Sequence, residues 1–206
     1  MNATTLLPQL PSIQQCQQRL RAAAMLDAMI MPEWEYRYYS YNAHWDAGEE
    51  MASMRDGEGD HYFALFTING LMIKIFEGGI IHPHMQQGMQ AAAEQIPESM
   101  THFLSEPAFI TEEVTCLLWR ERTANHWHAI GAEEEAGSEW FRLLLEGAAY
   151  YHTWAKEYYE IELDYTLVER IFQQEPLTRE LAEQLNNELE WAELQEDIAE
   201  IRYPLA

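Results

Sequence analysis

The chain has 206 residues, 48% of them hydrophobic, with 35 Asp and Glu against 12 Lys and Arg, a formal net charge of −23. A field of that sign opposes approach to phosphate backbones and anionic membranes and favours cationic surfaces, which sets nucleic acid aside and makes a basic protein the expected partner. Cys16 and Cys116 fall in apolar periodic segments and are expected as buried thiols of a reducing compartment, no apolar run approaches the roughly 20 residues of a membrane span, and no basic segment precedes an apolar one at the N-terminus, so a soluble cytoplasmic protein is predicted.

Ser12 followed by Gln15 matches a capping box, and Ile13, Cys16, Leu20 and Ala24 form one stripe that Pro32 must end. A helix is therefore predicted from Ile13 to about Ile30. From Trp34 the period changes to two: Trp34, Tyr36 and Tyr38 alternate with Glu35 and Arg37, as in a strand that buries those three rings. Tyr39 and Tyr41 then lie on the other face and are candidates for an exposed partner-binding surface, because Tyr carries large contact area with a polar tip. Met51 to Arg55 fit a second strand. The turn after it alternates Asp56, Glu58 and Asp60 like the first ligands of a calcium loop, yet His61 stands where such a loop needs glycine and Thr67 where it needs glutamate, so a solvated turn is expected.

His61 to Ile68 and Leu71 to Phe76 are β-favouring runs joined by Asn69-Gly70, which predicts a hairpin with a type I′ turn. Both alternation faces of the first run are apolar, so the sheet must be covered on both sides. Short helices are expected around Met85, Met89 and Ala92, and from Met100 to Leu104. Val114 to Arg120 and His126 to Ile130 predict a second hairpin. Beyond it the chain turns helical: Ser138 is placed to cap a long helix carrying Trp140, Phe141, Leu144, Tyr151 and Ala155 on one stripe, Asp164 opens another, Leu177, Leu181 and Leu185 mark a third, and Asn187 with Glu190 is expected to cap the last. Strands succeeded by helices give an α+β class: a single domain with an antiparallel sheet of about five or six strands, covered by the N-terminal helix and a C-terminal helical layer.

Two constellations bear on function. His126 and His128 are two apart in a predicted strand, so both imidazoles share a face about 7 Å apart and suit a zinc ion; His82 and His84 form a second such pair around Pro83, with Glu121 or His152 available beside them. The other constellation is charge. From Glu133 onward there are 19 acids against 5 bases, and Glu133, Glu134 and Glu135 open that acidic pole. No G-x-S-x-G elbow, Walker A or G-x-G-x-x-G sequence occurs, and no catalytic residue is nominated. An acidic interaction domain, such as an inhibitor or immunity-type protein that neutralises a basic partner, is the expected function, with a metal-binding protein or metal-dependent enzyme as the alternative.

Overall fold

Ser12 opens the first helix as the sequence requires: its hydroxyl accepts from the Gln15 backbone while the Gln15 side chain accepts from the Ser12 backbone, and helix α1 runs Ile13–Ile30. The computed structural model describes residues 6–78, 94–110, 113–131 and 139–206. The predicted short helix at Met85, Met89 and Ala92 lies outside them, as does the Ser138 cap.

Six strands come next: β1 Tyr39–Asp46, β2 Glu49–Arg55, β3 His61–Phe66, β4 Gly70–Phe76, β5 Cys116–Glu121 and β6 His128–Ile130. Each pairs antiparallel with the next, so the sheet order is the chain order. The C-terminal layer holds α2 Arg142–Glu146, α3 Ala148–Tyr158, α4 Tyr165–Phe172, α5 Arg179–Leu185 and α6 Trp191–Ile201. The α+β class, with a six-stranded antiparallel sheet under N- and C-terminal helices, is as the sequence predicts.

Every residue of β3 is buried, and the alternation sorts its side chains between two cores. Tyr62, Ala64 and Phe66 join Leu71, Ile73 and Ile75 of β4 and Cys116 and Leu118 of β5 against α1 and the C-terminal helices. Phe63 and Leu65 face the other way with Met72, Leu117 and Trp119, under Ile96, Met100, Phe103 and Phe109 from the 3-10 segments Glu98–Ser105 and Pro107–Phe109 and the chain just before them. Two-sided cover is what a doubly apolar β3 demands.

Four local expectations are corrected. The β3–β4 hairpin forms, but Thr67 N–H donates to the Gly70 carbonyl and the reversal falls on Ile68 and Asn69, neither with positive φ. Gly70 serves another purpose: a Cβ there would stand 2.3 Å from the Arg120 carbonyl oxygen, so glycine lets β5 close on β4. The long C-terminal helix is broken at Gly147, whose φ of +59° starts α3 anew. Glu190 precedes α6 without a side-chain capping bond, while Asn186 instead accepts from Glu188 N–H. Finally, residues 34–36 are not strand but a 3-10 turn, and that difference places the site.

Candidate functional site

Pro32 ends α1 by removing an N–H donor, and Arg37 then fixes the course of the chain around it. Its Nε donates to the Met31 carbonyl at 2.8 Å and its Nη2 to the Pro32 carbonyl at 2.6 Å. The same guanidinium forks onto Asp197 of α6, with Nη1 to Oδ1 at 2.5 Å and Nη2 to Oδ2 at 2.9 Å. The chain between is bent into the Trp34–Tyr36 turn, which pushes both rings outward: Trp34 is 54% and Tyr36 62% exposed. With Tyr158 of α3, 41% exposed, they wall a cleft of about 520 Å³. Ser40 of β1 and Ser53 of β2, direct partners in register, form its floor beside Arg55. The Arg55 guanidinium lies 5.5 Å from the Trp34 ring centroid and 5.8 Å from that of Phe63, within cation–π reach of both.

Behind the cleft sits a fully buried carboxylate. Asp27 Oδ2 accepts from the Tyr38 N–H at 3.0 Å, the Tyr39 N–H at 2.7 Å and the Tyr159 hydroxyl at 2.8 Å, and Oδ1 accepts from the Tyr151 hydroxyl at 2.6 Å. One side chain thus ties α1 to the start of β1 and to α3. Burial pushes its carboxyl up to about 6, and the four donors, which favour the anion, work against that rise. Tyr38 and Tyr159 line the cleft as well, so the hub supports its inner wall.

A second buried charge lies under the opposite core. Lys74 Nζ meets His61 Nε2 at 2.9 Å and donates to the carbonyls of Phe109 at 2.6 Å and Ile110 at 2.7 Å. Burial and the nearby Lys74 charge lower the His61 pKa. Ile110 holds φ +47°, an uncommon conformation for a β-branched residue, and its carbonyl is one of those that hold the ammonium.

Comparison with protein families, curated proteins and solved structures finds no match.

The charge around the cleft is unequal. Asp197 and Glu200 of α6 stand beside Trp34 and Arg37, and Glu35 lines the cleft itself. In the C-terminal layer Arg142, Lys156, Arg170 and Arg179 each pair with a neighbouring glutamate, and Arg202 reaches Glu50. That leaves Glu193, Glu196 and Glu200 exposed on α6 with no ion-pair partner among the described residues.

Tyr39 and Tyr41, expected at the surface, are 4% and 2% exposed and face the helical core. The strand starts at Tyr39, so the alternation begins there and the odd-numbered rings take the inner face. The expected exposure of those two is therefore corrected: the exposed rings of this segment are Trp34 and Tyr36. Glu133, Glu134 and Glu135 lie outside the described residues, as do His82 and His84. The His126 and His128 rings do come together, with centroids 4.5 Å apart, although His126 precedes β6 and His128 is stacked on Trp119 at 5.0 Å. Among the described residues no group of three His, Cys, Asp or Glu converges as metal ligands. Nor is any helix of the described residues long and apolar enough to cross a membrane.

Asp27 is absent from the residues that the sequence nominates, yet it carries a signal. It is the one charged residue in the apolar run 22–30, near a helix C-terminus where a negative charge is unfavourable.

Proposed function

We propose that this chain is an acidic protein-interaction domain that engages a basic partner, in the manner of an inhibitor or immunity-type protein, through the aromatic edge Trp34–Tyr36 and the carboxylates beside it. The observation that carries the reading is the grouping of Trp34, Tyr36 and Tyr158, three of the large exposed hydrophobics, at one cleft. Scattered exposed rings need no explanation, whereas clustered Trp and Tyr ringed by charge have the composition of a binding hot spot. Glu35 and Glu200 stand beside them and add negative potential, which speeds encounter with a cationic surface and rejects acidic ones.

The test uses an arginine-rich peptide with a central tryptophan, titrated into the whole chain at low and high salt and followed by calorimetry. Binding is expected to weaken with salt and to fall about tenfold or more in Trp34→Ala with Tyr36→Ala. Salt-independent binding, or equal affinity in the double variant, would sink the proposal.

The metal alternative retains one favourable observation, the contact of the His126 and His128 rings. Two imidazoles make half of a zinc site. A rise in melting temperature with Zn²⁺ that disappears in His128→Ala would move the assignment there.

A further inference from the structure

Two features of the cleft floor are left unexplained by a partner that only touches its rim. Ser53 is 3% exposed and lines the cleft, and among the described residues its hydroxyl has no hydrogen-bond partner; nor does that of its cross-strand partner Ser40. Among the described residues the side-chain atoms both sealed from solvent and unpaired are Arg21 Nε and the Tyr62 hydroxyl, so the Ser53 hydroxyl is open to the cleft, where a ligand atom can reach it. The second feature is Arg55. In a chain with 35 acids and 12 bases, every other Lys and Arg side chain has a hydrogen bond or a carboxylate partner, whereas among the described residues the Arg55 guanidinium contacts only the Trp34 and Phe63 rings. Its fork of N–H donors is directed by aromatic stacking and left open to an acceptor. The other cation of the cleft, Arg37, is bound to Asp197, and Asp56, just outside the lining, has its Oδ1 taken by three backbone N–H groups of its own turn. Glu35 at the wall has no partner among the described residues.

We propose that the cleft binds a small aromatic carboxylate, its ring between Trp34 and Tyr158 and its carboxylate on the Arg55 guanidinium and the Ser40 and Ser53 hydroxyls. A volume of about 520 Å³ suits a ligand of one or two rings. The planar guanidinium matches a carboxylate with two parallel hydrogen bonds, and the hydroxyls satisfy its remaining lone pairs. Glu35 limits the charge that can enter, which favours a monoanion over a phosphate dianion. The inference shares the Trp34 and Tyr158 rings with the partner reading and differs from it in using Arg55, Ser40 and Ser53 at the floor of the cleft.

The whole chain is titrated by calorimetry and tryptophan fluorescence with phenylacetate and 2-naphthoate, with their neutral amides, and with phenyl phosphate. Saturable binding of a carboxylate is expected, with its amide about tenfold weaker or more, since a charge-assisted pair is lost. Arg55→Met, an exposed position that leaves the melting temperature unchanged, weakens the carboxylate by about tenfold and leaves the amide unaffected; Ser53→Ala weakens it by a smaller factor, and Glu35→Gln tightens it. Acid and amide binding alike, undiminished binding in Arg55→Met, or no saturation by either carboxylate would overturn the proposal. Tighter binding of the phosphate would overturn the choice of carboxylate. Loss of the arginine-rich peptide's binding with retention of the carboxylate's would remove the partner reading alone.

Discussion

Asp27→Asn tests whether the buried hub behaves as its surroundings dictate. Asparagine keeps the shape: its carbonyl oxygen can stay opposite the Tyr38 and Tyr39 N–H groups, which only donate, and its amide can face the Tyr151 hydroxyl, which can turn to accept. What changes is the titration. The folded carboxyl ionises near 6 against 3.8 for the free side chain, so it is still protonated over a range in which the unfolded chain has already released its proton. The stability this supports is complete below about pH 4 and is lost as pH rises through about 6. Two pH units at 1.36 kcal/mol each make the whole effect about 3 kcal/mol. Between about pH 5 and pH 7 the unfolded carboxylate is ionised throughout, and the share read there is about 1 kcal/mol, or about 2–4 °C in a chain of this length. Urea unfolding of wild type and variant at both pH values isolates this group from the other acids, which titrate alike in both proteins. The wild type should lose about 1 kcal/mol relative to the variant on going to the higher pH. A stability difference that is the same at both values would refute the raised ionisation of Asp27. Asp27→Ala is expected to cost more at every pH, because it strands the Tyr39 N–H and two hydroxyl donors, while the Tyr38 N–H keeps only the Tyr159 hydroxyl.

Three further substitutions or reagents probe the scaffold. Arg37→Met removes a guanidinium whose side chain is 6% exposed and leaves Asp197 without its partner, so a loss of about 3 kcal/mol is expected, with release of the 31–37 segment visible as a change in Trp34 fluorescence. Gly70→Ala brings a methyl group to 2.3 Å from a backbone oxygen that cannot yield unless β4 and β5 part; urea unfolding should show a loss of about 3 kcal/mol, and an unchanged midpoint would disprove the close approach. Burial pushes both the Cys16 and Cys116 thiols up to about 12, so neither should react with a thiol reagent until denaturant is added.

The fold is legible in the sequence where one physical signal dominates. A capping box, a proline stop and a strand apolar on both faces each allow a single outcome, and α1 and the sheet's middle strands form accordingly. The segment from Trp34 to Tyr41 misleads because its aromatic and charged residues alternate as a half-buried strand does. The deciding partners, Asp197 for Arg37 and Asp27 for the Tyr38 and Tyr39 amides, lie 160 and 12 or fewer positions away, and the first is reached only after the chain has folded. The Asn69-Gly70 turn misleads for the opposite reason. Its glycine answers to the neighbouring strand β5, and not to the turn in which it was expected to act.

The turn at Trp34–Tyr36 also runs against the energetics of folding. Continuing β1 backward through these residues would bury rings that now face water, at a gain of about 25 cal/mol for each Å² of apolar area. The chain instead holds the rings outward with a largely buried ion pair, whose desolvation offsets much of its attraction, and with hydrogen bonds to two carbonyls just ahead of the turn. A connector needs none of this, whereas a binding edge needs rings that are exposed yet fixed, since ordering them on contact would weaken affinity. Stability and binding should therefore separate here. The double variant Trp34→Ala, Tyr36→Ala is expected to unfold within about 0.5 kcal/mol of the wild type, because both rings are more than half exposed and the Trp34–Arg55 cation–π contact contributes little at an exposed site. The same variant should lose most of its affinity for the arginine-rich peptide. If it is instead strongly destabilised, the rings are packing residues, and the edge is structural.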